Sequence, residues 1–142
     1  MSASENKRLV LKGFEEGFNK GDASVFDEIV AEKSIDHQEA PDTDYREHIK
    51  DVVRMLRTAF PDLHFEVHDV IAEGDLVACR STMSGTHLGP LMGLEPTGKP
   101  ISVPHMHFMR IVEGQNTDLW HVWDFAGLLR QVGASDPTPV PA

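Results

Sequence analysis

Three histidines, His105, His107 and His121, offer the most useful chemistry in this 142-residue chain. They lie in the stretch SVPHMHFMRIVEGQNTDLWHVWDFAGLLRQVG, which reads as two β-strands joined by a tight Glu113-Gly114 turn, the second strand running into a short helix. Strand side chains alternate between faces, so His105 and His107 point the same way, with Val103 before them and Met109 after. In the next strand Leu119, His121 and Trp123 share one face, and Asp118, Trp120 and Val122 share the other. A register that sets His121 beside His105 and His107 lines one patch with three imidazoles and an indole. Imidazole suits proton transfer, because an ordinary pKa of about 6.5 keeps both of its forms populated near neutrality. A free carboxylate, at about 3.9, is the weaker base. Two histidines at i, i+2 with a third beside them could also hold a metal in an open site. No carboxylate is secured on that face, and the expectation is a site without metal.

The elements that must position these residues belong to a chain of one-domain size, long enough to bury a core without disulfides. Thirteen Lys+Arg against 23 Asp+Glu give a formal charge of −10, which repels phosphate backbones and anionic membranes. No basic run appears, so neither nucleic acid nor membrane is expected as a partner. Cys79 is the only cysteine and lies in the apolar run LVAC, a small buried hydrophobe compatible with a reducing cytoplasm. The opening MSASENKRLV turns polar at once, and no run reaches the length of a membrane span. The expected location is cytoplasmic.

Leu9, Val10, Phe14, Gly17 and Phe18 recur at helical spacing from about Ser4, and Asn19-Lys20-Gly21-Asp22 punctuates them. Asp22 or Ser24 could cap a second short helix with Val25, Phe26, Ile29 and Val30 on its stripe. Ile35-Asp36-His37 reads as a brief strand whose Asp36 and His37 face opposite ways; either could enter a cavity mouth. A third helix is expected from Tyr45 to Phe60, capped by Thr43 or Asp44 and stopped by Pro61. From Leu63 the period changes to two, with His64 and His68 on the wet side, and the Glu73-Gly74-Asp75 turn returns the chain as LVACRSTMSGTH. The Gly- and Pro-rich connection from Gly89 to Pro100 carries Leu91, Met92 and Leu94, which should fold over an opening or bury against another subunit. Asp124 can cap the last helix, Phe125 to Gly133, before a Pro-rich tail. This order predicts an α+β fold with helices on one face of a strongly curved antiparallel sheet, enclosing a conical pocket for a small apolar molecule. Phe14, Phe18, Met55, Met106, Trp120 and Trp123 are its expected walls.

The segments FNKGDASVFDEIV, RTAFPDLHFEVHDVIAEGDLVACRSTMSGTHLG, PTGK and HFMRIVEGQNTDLWHVWDFAGLLRQVG together resemble the SnoaL-like polyketide cyclase family. The resemblance implies an NTF2-like, cone-shaped barrel with three N-terminal helices and a short C-terminal one. It covers residues 1–133 as one domain, with 134–142 a disordered tail. It further implies a homo-oligomer (dimer or tetramer), a ligand in the cone and no cofactor. Characterised members close the last ring of an aromatic polyketide by intramolecular aldol condensation on a methyl ester, with an aspartate near the end of the last strand as acid/base and a histidine on the preceding strand polarising the substrate. That histidine matches His107. The place of the aspartate, three residues before Asp124, holds His121, and Asp124 itself matches a widespread family aspartate. The implied function is a cyclase or isomerase using acid/base chemistry on a small, largely apolar carbonyl compound. The expected catalytic residues are His107, His121 and Asp124, with His105, Asp36, His37, Trp123, Phe18 and Met55 binding substrate. The alternatives are a ligand-binding protein without turnover, or a hydrolase or hydroxylase on the same fold.

Overall fold

Ser2 starts the first helix: its Oγ accepts the Glu5 backbone N–H at 3.1 Å, two residues upstream of the expected start. The computed structural model describes residues 2–133, so the tail 134–142 lies outside the described residues. Helix α1 (Ala3–Lys12) runs into a wider π-helical segment, Gly13–Asn19, and the chain then turns at Gly21 in the left-handed region (φ +75°). The π segment buries Phe14 and Phe18, and Gly17 gives the Phe26 ring room to lie against the backbone; a Cβ there would collide with Phe26 Cζ.

Helix α2 (Val25–Ile29) is shorter than its apolar stripe suggests, because Val30 already opens strand β1 (Val30–Asp36). Strand pairing overrides the helical period there: Val30 sits opposite Asn116 of the last strand, and Asp36 opposite Leu119. This pairing is parallel, which corrects the all-antiparallel expectation. The intervening chain supplies the long crossover that parallel neighbours need. Helix α3 (Tyr45–Ala59) has Asp44 as its cap, accepting the Glu47 N–H at 3.3 Å, and buries Tyr45, Ile49, Val53, Leu56 and Ala59.

Strands β2 (His64–Glu73), β3 (Leu76–Thr86), β4 (Pro100–Val112) and β5 (Gln115–Trp123) are antiparallel neighbours, and the sheet order is β1-β5-β4-β3-β2. A bulge between Val67 and Asp69 changes which residues of β2 face inward, from Phe65 to Val70, and leaves Ile71 outside. Such a bulge bends its strand. The concave face carries Val77, Cys79, Ser81 and Met83 of β3 and, in strict alternation, Ile101, Val103, His105, His107, Met109 and Ile111 of β4, all buried. The helices pack over this face, producing the NTF2-like α+β cone. Helix α4 (Phe125–Gln131) closes one end. In the Gly/Pro connection Leu91 is fully buried and bonded to Leu94, with Met92 at φ +45°.

Candidate active site

Register brings the imidazoles together. Across β4 and β5, His107 pairs with His121 and His105 with Trp123. The His105 and His107 rings stack with centroids 4.0 Å apart, and His121 lies 5.6 Å from the first and 5.7 Å from the second. Aromatic neighbours hold the pair: Phe14 meets the His107 ring edge-on at 5.1 Å, and Phe65 lies 5.6 Å from His105. His105 Nε2 and His121 Nδ1 are 3.4 Å apart.

Strand β1 delivers the carboxylate that the hairpin lacks. Asp36 is buried, with Oδ2 3.4 Å from His121 Nε2 and Oδ1 accepting the Gln38 backbone N–H at 2.9 Å. Gln38 ties β1 to β5 in turn, its Oε1 accepting the His121 backbone N–H at 2.7 Å. One arrangement of protons satisfies this set: His121 Nε2–H faces Asp36, and His105 Nε2–H faces the bare Nδ1 of His121. Burial raises the Asp36 carboxyl, but the bonds from His121 and Gln38 prevail and hold it below the usual carboxylate range. Burial, reinforced by the charge of His121, pushes His105 down to about 3. It pushes His107 well below the ordinary imidazole value. Near neutral pH these two rings are uncharged beside an ionised aspartate. Nδ1 of each is buried without a hydrogen-bond partner.

The group opens into a cavity of about 470 Å³. Its walls include Phe18, Met55, Met83, Leu119 and Trp123, and its mouth carries Glu39, His48, Asp51 and Met92. Asp36, His105, His107, His121, Trp123, Phe18 and Met55 therefore meet in one place. His37 and Asp124 do not line it. His37 points to the outer face, 2.9 Å from Asp118 and stacked on Trp120 at 4.4 Å, as alternation from Asp36 requires. Asp124 caps α4, its Oδ1 accepting the Gly127 N–H at 2.8 Å, with Arg130 beside it at 4.0 Å. Met106 and Trp120, expected as walls, also face outward; Met106 sits between two inward histidines, which excludes it from the cone. Glu39, His48 and Asp51 were not anticipated. The helical period places His48, Asp51, Val52 and Met55 on one flank of α3, and that spacing was the available signal. Cys79 is buried, and burial lifts its thiol to about 12, so it is no nucleophile.

The family model for SnoaL-like polyketide cyclases matches residues 8–132. The chain belongs to that family. Among curated SnoaL-like relatives, aklanonic acid methyl ester cyclase DnrD of Streptomyces peucetius is 34% identical over 88 residues, 61% of this chain and 61% of that protein. Nogalonic acid methyl ester cyclase of Streptomyces nogalater is 41% identical over 66 residues, 46% of this chain and 48% of its own length. The chain thus spans between about half and three fifths of these cyclases. TsrD from Streptomyces laurentii has a solved structure that superposes with a TM-score of 0.86 at 25% identity, covering 95% of this chain and 99% of its own. No described helix is long and apolar enough to cross a membrane.

Proposed function

We propose that this SnoaL-like protein closes a ring in a small aromatic polyketide ester by intramolecular aldol chemistry, with His121 as the acid/base. The observation that carries the reading is the Asp36–His121 pair at the wall of the cavity, where the relatives' resemblance implies an aspartate. An imidazole backed by a carboxylate is held in one tautomer and orientation, and the imidazolium formed on accepting a proton is stabilised. His121 removes a proton α to a carbonyl. The resulting enolate carbon attacks a second carbonyl of the same molecule, forming the C–C bond, and His121 returns the proton to the new alkoxide. No atom is gained or lost. His107, uncharged, donates a hydrogen bond to the developing enolate oxygen without giving up its own proton. Phe18, Met55, Met83 and Trp123 supply the apolar contacts an aromatic ligand needs, and the cavity lies within the usual size range of small-molecule sites.

The test is incubation of the protein and a His121→Ala variant with a panel of polyketide methyl esters, followed by mass spectrometry and absorbance. Product of unchanged mass with a shifted spectrum is expected, slowed roughly 10²–10⁴-fold in the variant. Equal rates for both proteins would remove His121 from the mechanism, and a mass gain would replace cyclisation by hydrolysis or hydroxylation.

The acting form is proposed to be a homo-oligomer joined through the outer face of the sheet. Register sets Ile71, Ala78, Phe108 and Trp120 in one row across four strands, with Met106 opposite Val122 in the next. Ile71 and Val122 are two-thirds exposed and Met106 and Phe108 about half. Of the charges on this face, Asp69 is paired with Arg80 and Asp118 with His37, and Glu66 and Glu73 lie on the outermost strand. A second copy of the same face can therefore cover its apolar centre without breaking these pairs.

A further inference from the structure

We propose that His105, His107 and His121 also form a binding site for a divalent transition-metal ion of intermediate softness, such as Zn²⁺ or Co²⁺. The proposal uses side chains of the cavity but does not rest on the cyclase reading; because the ion takes the Nδ1 lone pair with which His121 would accept a proton, the metal-bound and the proton-transferring forms exclude one another. One nitrogen from each histidine lies within 4.8 Å of the others. His105 Nε2 and His121 Nδ1, 3.4 Å apart, already have the separation of two ligands each about 2.0–2.1 Å from a tetrahedral ion. His107, on the same face and two residues from His105, closes the third side by a small turn of its ring. Imidazole nitrogen is the ligand type that Zn²⁺ and Co²⁺ accept readily, and the adjoining cavity leaves the fourth position open.

The second, independent observation is the outer partner. Metal-bound histidines commonly direct their other ring N–H at a carboxylate, which fixes the tautomer and raises the basicity of the ligand nitrogen. His121 does this without an ion, its Nε2 3.4 Å from Asp36 Oδ2. Asp36, in turn, is fixed by the Gln38 N–H. A further arrangement argues in the same direction: Nδ1 of His105 and of His107 is buried with no hydrogen-bond partner, so on binding an ion His105 can give up its Nε2–H bond to His121 and carry its proton on Nδ1 instead. The mouth cluster of Asp36, Glu39 and His48 is a competing group, but His48 and Glu39 are already paired at 3.1 Å.

The experiment titrates the untagged full chain, stripped with a chelator, with Co²⁺ followed by visible absorption and with Zn²⁺ followed by calorimetry, no substrate present. One equivalent and a four-coordinate Co²⁺ spectrum are expected. His121→Gln, at a partly exposed position that tolerates a polar side chain, should abolish the spectrum, and His105→Gln should do the same. Asp36→Asn should weaken Zn²⁺ about 10–100-fold while keeping the stoichiometry, and His48→Ala should change neither. Absence of saturable binding by the folded wild type overturns the proposal. So does binding that survives His121→Gln but is lost in His48→Ala, which would place the ion at the mouth. Since no turnover is read, either result leaves the cyclase reading to its own test.

Discussion

His107 and His105 combine burial with a titratable ring, and this makes acid stability a property of individual residues. In the unfolded chain both titrate near 6.5. Folded, burial holds His105 at about 3 and His107 well below the ordinary imidazole value. Between these values the unfolded chain holds more protons, so stability must fall as pH drops through about 6.5 and keep falling toward 3. Asp36 adds a loss of the same sign at lower pH. Its folded carboxyl is held below the ordinary value, so its stabilisation is present above about 3.9 and disappears as pH falls through the folded value. Replacing His107 by Leu should therefore flatten the dependence of the urea midpoint on pH between about 4 and 6.5. It should also hold or raise stability at neutral pH, since the unpartnered Nδ1, at a cost of roughly 1–3 kcal/mol, is removed with the ring. An unchanged slope would mean that these rings do not titrate as their burial requires.

At the scale of elements, caps and bulges decide which side chains reach the cone. Asp124 follows β5 directly and has the composition of a catalytic carboxylate, yet its Oδ1 is committed to the Gly127 N–H and α4 begins there. Asp124→Ala is expected to lower unfolding stability by about 0.5–2 kcal/mol while leaving turnover per folded molecule close to wild type. Denaturant titration and the ester assay on the same preparation check both halves, and a large fall in turnover with little loss of stability would return Asp124 to the chemistry. The β2 bulge works in the opposite sense, by exposing rather than withdrawing: without it Ile71 would face the helices. Gln38 is the element-level latch, joining β1 to β5 so that Asp36 and His121 meet.

At the scale of the whole molecule, the sheet has one face covered by helices and one that no described residue covers. The sheet face bearing the exposed Ile71, Met106, Phe108 and Val122 is the one through which two copies are proposed to associate. Sedimentation at micromolar concentration should show a dimer or tetramer, and Phe108→Glu or Val122→Glu should shift it to monomer with the fold retained by circular dichroism. A wild-type monomer at all concentrations would refute the assembly. The net charge of −10 acts against association at low ionic strength, so moderate salt should favour the oligomer.

Much of this was legible in local pattern. Alternation alone put His105 and His107 on one face of their strand and His121 with Trp123 on one face of theirs, because a period of two leaves no choice once a segment is a strand. The same rule separates Asp36 from His37 and, applied strictly, removes Met106 from the cone. The helical stripe and the Asp44 cap located α3 for the same local reason. What only the tertiary structure decided are the meetings between segments distant in the chain: the register that sets His107 against His121, the parallel pairing that carries Asp36 across to His121, and the extension of β1 back to Val30 against the helical stripe. These depend on pairing and burial contributed by other strands. Period and propensity describe a segment's own faces, and they contain no information about which face of another segment will come to lie against them.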